Sequence, residues 1–209
     1  TQQVHGSQTI GMLVNLLAMR GNIGKEGAGV SPVRGHSNVQ GQRTVGISEK
    51  PELVPNDKLR KLFGFEPPME KGVATVEACE GIIAGTIKAF VSLGGNFVRA
   101  IPEREKMEAA WPNMRLTVQI ATKLNRSHLV PAAGATYVLP CLGRIELDMQ
   151  ATGPQMVTTE DSTGVIHPSR GRVEPASPAL LSEPAIIAGI ARALLPPNPK
   201  VSWDDWIGN

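Results

Sequence analysis

The sequence is poor in aromatic residues, with one tyrosine, four phenylalanines and three tryptophans among 209 residues. Its core must therefore be built mainly from aliphatic side chains. Only two cysteines occur, Cys79 and Cys141. That excludes a disulfide framework and a CxxC pair, and sets a reducing, cytoplasmic compartment as the expectation. No apolar run reaches the roughly 18 residues of a membrane span and no signal peptide is visible, so no membrane segment is expected. A net charge of +2 comes without any basic run, which removes the electrostatic footprint of a nucleic-acid partner. His5, His128 and His167 are scattered, with no HxH, HExxH or His/Cys spacing, so this chain alone offers no metal site. Nor does any Ser/His/Asp grouping form a nucleophile motif.

What is present is a globular composition, 41% hydrophobic and 19% charged, with 17 prolines and 22 glycines that demand many loops. The length suits one substantial core, or at most two small ones. The densest chemistry lies in Ser31-Pro32-Val33-Arg34-Gly35-His36-Ser37-Asn38-Val39-Gln40-Gly41. No carboxylate stands between Glu26 and Glu49, so nothing near in sequence neutralises Arg34. Arginine brings a planar, always charged fork, Asn38 and Gln40 bring paired donors and acceptors, and Gly35 and Gly41 permit close backbone approach. The combination suits an anionic or highly polar ligand; a plain connecting loop is the other reading of the same residues.

Around this loop the pattern alternates between helix and strand. Residues 8–20 carry apolar side chains at helical spacing with a wide buried face expected, stopped by Gly21-Asn22-Ile23-Gly24. The glycines that follow do not succeed a strand, so they read neither as a dinucleotide fingerprint nor as a phosphate loop. Residues 48–75 form a Pro-punctuated surface excursion with a helix expected over 56–63. A helix is expected over 76–84, with Cys79 as a core residue. Strands are expected over 87–93, 116–120 and 136–140, a helix over 103–111, and a capped helix over 182–195. The stretch 146–184 reads as polar and turn-rich, and 196–209 as a tail whose tryptophans pack back. Short apolar strands separated by helix-length segments predict an α/β fold with a parallel sheet. Ligands of such sheets bind beyond the strands' carboxyl ends, here Gly94 to Asn96, Gln119 to Lys123 and Pro140 to Arg144.

The run NLLAMRGNIGKEGAGVSPVRGHSNVQGQRTVGI resembles a segment of the large catalytic subunit of the molybdopterin-dependent oxidoreductases, particularly the formate dehydrogenase-like group. The shared pattern is a helix, G-N-[IVL]-G, then G-x-[NS]-P-x-R-G-[QH]-[NS]-N-V-Q-G. Weaker similarity continues through 87–96, 118–123, 138–140 and 186–195. The resemblance implies an α/β three-layer sandwich with a mostly parallel, Rossmann-like sheet, forming a single domain over 1–209 within a larger multidomain enzyme. The chain would then be a fragment, its missing domains acting as partners and its 4Fe-4S cluster lying upstream.

The resemblance also implies a bis-molybdopterin guanine dinucleotide cofactor with molybdenum or tungsten, and two-electron oxidation of formate or a similar small-molecule substrate. Arg34 would hold the substrate's oxygens, its fork matching a carboxylate. His36 is placed either to relay a proton or to hydrogen-bond the pterin. Gly35, Asn38, Gln40 and Gly41 would meet the pterin or shape the loop, while Gly94, Gly95, Asn96, Gln119 and Thr122 would meet the dinucleotide. Asp161 stands where the family keeps a polar contact, although the basic residue expected next is Ser162 here. A noncatalytic nucleotide-binding α/β module and the middle domain of a thiamine-diphosphate enzyme are the alternatives.

Overall fold

The computed structural model describes residues 3–33, 36, 38–161 and 163–208, and of Gln40, Trp206 and Ile207 it describes the backbone. The first elements are helices: α1 (Gly6–Met19), α2 (Val39–Thr44), α3 (Asn56–Phe63) and α4 (Thr75–Ile83). They lead into strand β1 (Ala89–Leu93), a helical turn α5 (Phe97–Ala100), α6 (Arg104–Ala110), β2 (Leu116–Ala121) and β3 (Ala135–Pro140). Two short ribbons follow, β4 (Met149–Gln150) with β5 (Gly153–Pro154) and β6 (Val157–Glu160) with β7 (Ile166–Ser169). Helices α7 (Glu183–Leu194) and α8 (Trp203–Gly208) close the chain.

The fold is α/β. β1, β2 and β3 form a three-stranded parallel sheet in that order, and the two ribbons are antiparallel. A single mostly parallel sheet was expected across the domain. Instead, the polar stretch 146–184 pairs with itself, because hairpins need only local contacts whereas another parallel strand needs a long crossover.

Register assigns each strand residue to a face. Phe90, Thr117 and Thr136 stand in one row and Val91, Val118 and Tyr137 in the next. On the first face Phe90 packs against Phe97 and Trp111, with ring centroids 4.8 and 5.0 Å apart. Cys79 and Ile82 of α4 join Met107 and Ala110 of α6 in that core. Burial raises the pKa of the Cys79 thiol, as expected of a small core side chain. On the second face Ile120, Val118 and Leu139 meet Ile186 and Ile190 of α7. That helix is started by Ser182, whose Oγ accepts from the Ala185 N–H, and by Pro184 in its first turn.

Two apolar surfaces remain open. Val91 and Leu93 of β1 are 58% and 55% exposed on the second face. The wide face of α1, expected to be buried, also lies open, with Leu13 and Leu16 both 52% exposed. Helical spacing identifies which side of a helix can be buried and leaves the covering element unspecified.

The excursion is closed at its neck by the Gly72 N–H donating to Glu49 O, 2.8 Å. Its helix α3 is tied to the tail by Asn198 Nδ2 donating to Phe63 O, 2.7 Å. Arg192 of α7 pairs with Asp204 of α8.

β3 enters the sheet through one close backbone approach. A Cβ at Gly134 would collide with the carbonyl of Arg115, which is rigid backbone. Gly134→Ala is expected to destabilise by about 2–3 kcal/mol, whereas Gly11→Ala, with open space inside α1, is expected to stabilise by about 0.5–1 kcal/mol. Thermal unfolding of both variants checks this, and equal melting temperatures would refute the close approach.

Candidate functional site

Asn38 is held in the left-handed region at φ 60° as the residue before α2, a conformation that asparagine tolerates better than most residues. This turns its carboxamide onto the outer edge of β6. There Nδ2 donates to Thr158 O at 3.1 Å and Oδ1 accepts from the Glu160 N–H at 2.9 Å. The amide thus occupies the place of a neighbouring strand's peptide, satisfying edge groups 120 and more residues away in sequence. Gly41 is buried, and a Cβ there would collide with Asn38 Oδ1. Within the focal loop, then, Gly41 makes room for Asn38. His36 is exposed; Arg34 and Gly35 lie outside the described residues, as does the side chain of Gln40.

A cleft of about 610 Å³ opens beside this junction. Asn38 contributes from the loop, Thr122 from the end of β2, Gly143, Arg144, Glu146 and Asp148 from the segment after β3, Thr158 and Ser169 from the ribbon, and Ser182 to Pro184 from the start of α7. Arg144 braces one wall: Nε donates to Ser169 Oγ at 3.2 Å and a terminal nitrogen donates to Thr159 Oγ1. Glu146 braces another, accepting from the Gly143 N–H at 2.5 Å and the Ala176 N–H at 3.1 Å. Asp148 Oδ1 accepts from Gln150 Nε2 at 2.6 Å.

The other strand-end residues gather apart from the cleft lining. Gly94 and Gly95, at φ 70° and 80°, turn the chain after β1. Asn125 Nδ2 donates to Gly95 O at 2.8 Å, Ser127 Oγ donates to Asn96 Oδ1 at 3.0 Å, and Gln119 Nε2 donates to Ser127 O at 3.1 Å. Gln119 is 2% exposed, so its amide is spent inside the fold. Glu108 secures this turn by pairing with both Arg126 and Arg99, and the Arg126 guanidinium chiefly holds its carboxyl below the usual range.

Asp161 sits just past β6. Its Oδ1 accepts from the Thr163 N–H, the Thr163 hydroxyl and the Val165 N–H at 2.8, 2.8 and 3.0 Å, and Oδ2 meets His167 Nε2 at 2.8 Å. His167 first, then the Thr163 hydroxyl and the two backbone donors, hold its carboxyl well below the ordinary carboxylate range.

The structure thus brings Asn38 and Thr122 together at one cleft, joins Gly95, Asn96 and Gln119 through the turn at 125–127, and sets Asp161 on the ribbon. Sequence reasoning placed Arg144 only within the strand-end loop 140–144 and missed Glu146, Asp148 and His167. The alternation Arg144-x-Glu146-x-Asp148 directly after a strand was the available signal for the first three; the His167 pairing carries none, because it depends on the ribbon's register.

No family model matches the chain. Protein YdeP of Escherichia coli K12 is 50% identical over 204 residues, which is 98% of this chain and 27% of that protein. An uncharacterized oxidoreductase of Mycobacterium tuberculosis H37Rv is 47% identical over 207 residues, 98% of this chain and 26% of that protein. Formate dehydrogenase H of Escherichia coli K12 is 29% identical over 129 residues, 56% of this chain and 18% of that protein. The chain therefore spans about a quarter of the length of these first two relatives, the second of which is named an oxidoreductase. No helix among the described residues is long and apolar enough to cross a membrane.

Gly41→Ala and Asn38→Ala should each release the loop from β6. Hydrogen exchange at the Glu160 amide is expected to speed up by about 10-fold in either variant, the effect of losing roughly 1–1.5 kcal/mol of local protection. The double variant should add little to either, and unchanged exchange would show that the carboxamide does not hold the edge.

Proposed function

We propose that this chain forms part of a molybdopterin-dependent oxidoreductase of the formate dehydrogenase-like group, binding one arm of a molybdopterin guanine dinucleotide. The observation that carries the reading is the junction at Asn38, where the loop resembling that group's substrate loop and the end of β2 border one cleft of about 610 Å³. A space of that size suits a nucleotide.

The residues lining the cleft fit the group by their chemistry. Guanine presents adjacent N–H donors that a carboxylate such as Asp148 or Glu183 accepts, and a phosphate calls for the Arg144 guanidinium and the Thr122 hydroxyl. Gly94, Gly95, Asn96 and Gln119 set the strand ends from which Thr122 is presented. Asn38, Gly35, Gln40 and Gly41 hold the loop against the pterin side, and Asp161 fixes the adjacent turn.

When bound, the metal-pterin group supplies a sink for two electrons. Arg34 holds the oxygens of formate or a similar small carboxylate through its fork and orients the C–H bond. His36 takes up a proton or hydrogen-bonds the pterin.

Metal and pterin content of the purified full-length protein tests this reading. About one molybdenum or tungsten per chain with releasable pterin is expected. A protein that binds guanine nucleotides without metal or pterin would be a noncatalytic nucleotide-binding module instead. In the loaded enzyme Arg34→Lys is expected to lower turnover by roughly one to three orders of magnitude, as a bidentate electrostatic contact is lost. An unchanged rate at saturating substrate removes Arg34 from its assigned role.

A further inference from the structure

The β6–β7 ribbon carries a pair of side chains of which the function proposed above uses only Asp161, to fix a turn. Asp161 is locked by three donors at Oδ1, leaving Oδ2 aimed at His167 Nε2. An ionised carboxylate only accepts, so the proton between them sits on Nε2, and Nδ1 is the nitrogen left for another partner. Asp161 thus fixes both the tautomer and the direction of the imidazole, an arrangement used wherever a histidine must collect a proton.

Placement ties this pair to the cleft. His167 stands opposite Thr159 in the ribbon, so both side chains lie on one face. Thr159 Oγ1 accepts from Arg144, which brings the cleft's guanidinium to that same face. Glu160 pairs with Ile166 on the opposite face; on this face Asp161 contacts the imidazole and Arg144 contacts Thr159, while the pair itself stands beside the cleft lining. The ribbon is itself fastened to the focal loop at Thr158 and at Glu160, the residue before Asp161.

The geometry points to His167 as a proton carrier for the site, with Asp161 as its positioning residue. This inference rests on the oxidoreductase reading. In the oxidation of formate to carbon dioxide the C–H bond breaks, its electron pair passes to a two-electron acceptor, the dye in the test below, and its proton passes to His167 Nδ1. Asp161 stabilises the imidazolium until the proton is returned to water, and no electron resides on the ring.

The test uses the full-length, cofactor-loaded protein with formate and a dye acceptor. His167→Gln should lower kcat by about 100-fold or more, leave KM nearly unchanged, and abolish an acidic limb in kcat against pH. Asp161→Asn should lower kcat by about 10-fold or more. In ¹⁵N spectra of the labelled imidazole it should replace the Nε2–H form with a mixture of tautomers, in step with the loss of kcat. That second variant decides the matter if His167→Gln fails to fold. An active wild-type protein whose kcat and pH profile survive His167→Gln, or whose tautomer is indifferent to Asp161→Asn, overturns this inference alone. A wild-type protein without metal, pterin or formate oxidation overturns the functional reading and this inference with it.

Discussion

The two hydrogen bonds from the Asn38 carboxamide to the outer edge of β6 join the parts of the chain that carry chemistry. β6 belongs to a two-stranded ribbon, and a lone ribbon of four-residue strands is marginal in water. Capping its free edge with an amide that copies a peptide unit gives it a third partner at the cost of one side chain. The constraint runs in both directions. Asn38 must adopt a positive φ to reach the edge, and Gly41 must lack a side chain to let it stay there. The focal loop and the ribbon are thereby fixed to each other by two residues in a span of four.

Much of the scaffold was legible from periodicity. α3 falls on its expected residues, the three parallel strands fall within two residues of theirs, and the Ser182 cap and Pro184 begin α7 as expected. These elements are local in origin: caps, prolines and apolar runs act over a few residues. The ribbon and α2 were not legible. Val157 to Ser169 has few apolar residues in alternation, and its strands are stabilised by each other and by Asn38, a partner more than a hundred residues distant. The open face of α1 has the same cause in reverse, since periodicity marks a side that can be buried and says nothing of what would cover it.

The site was legible only in part, and the reason is where polar side chains spend their hydrogen bonds. Gln119 and Thr122 are three residues apart near the end of one strand, and from sequence both read as ligand contacts. Strand alternation separates them. Gln119 points into the first face, where a buried amide without a partner is costly, and the Ser127 carbonyl supplies one. Thr122 lies beyond the last paired residue and opens on the cleft.

The same rule sorts the charged residues. Glu146 is an acidic residue of the cleft wall, yet both of its oxygens are taken by the N–H groups of Gly143 and Ala176, so its charge serves to hold the wall. Arg144 binds two hydroxyls, and neutral acceptors leave a guanidinium's charge uncancelled where a carboxylate would have neutralised it. The cleft lining therefore sets one braced guanidinium beside the carboxylates of Glu146, Asp148 and Glu183. Carboxylates satisfied by backbone shape such a site, and cations satisfied by hydroxyls keep the charge with which to attract.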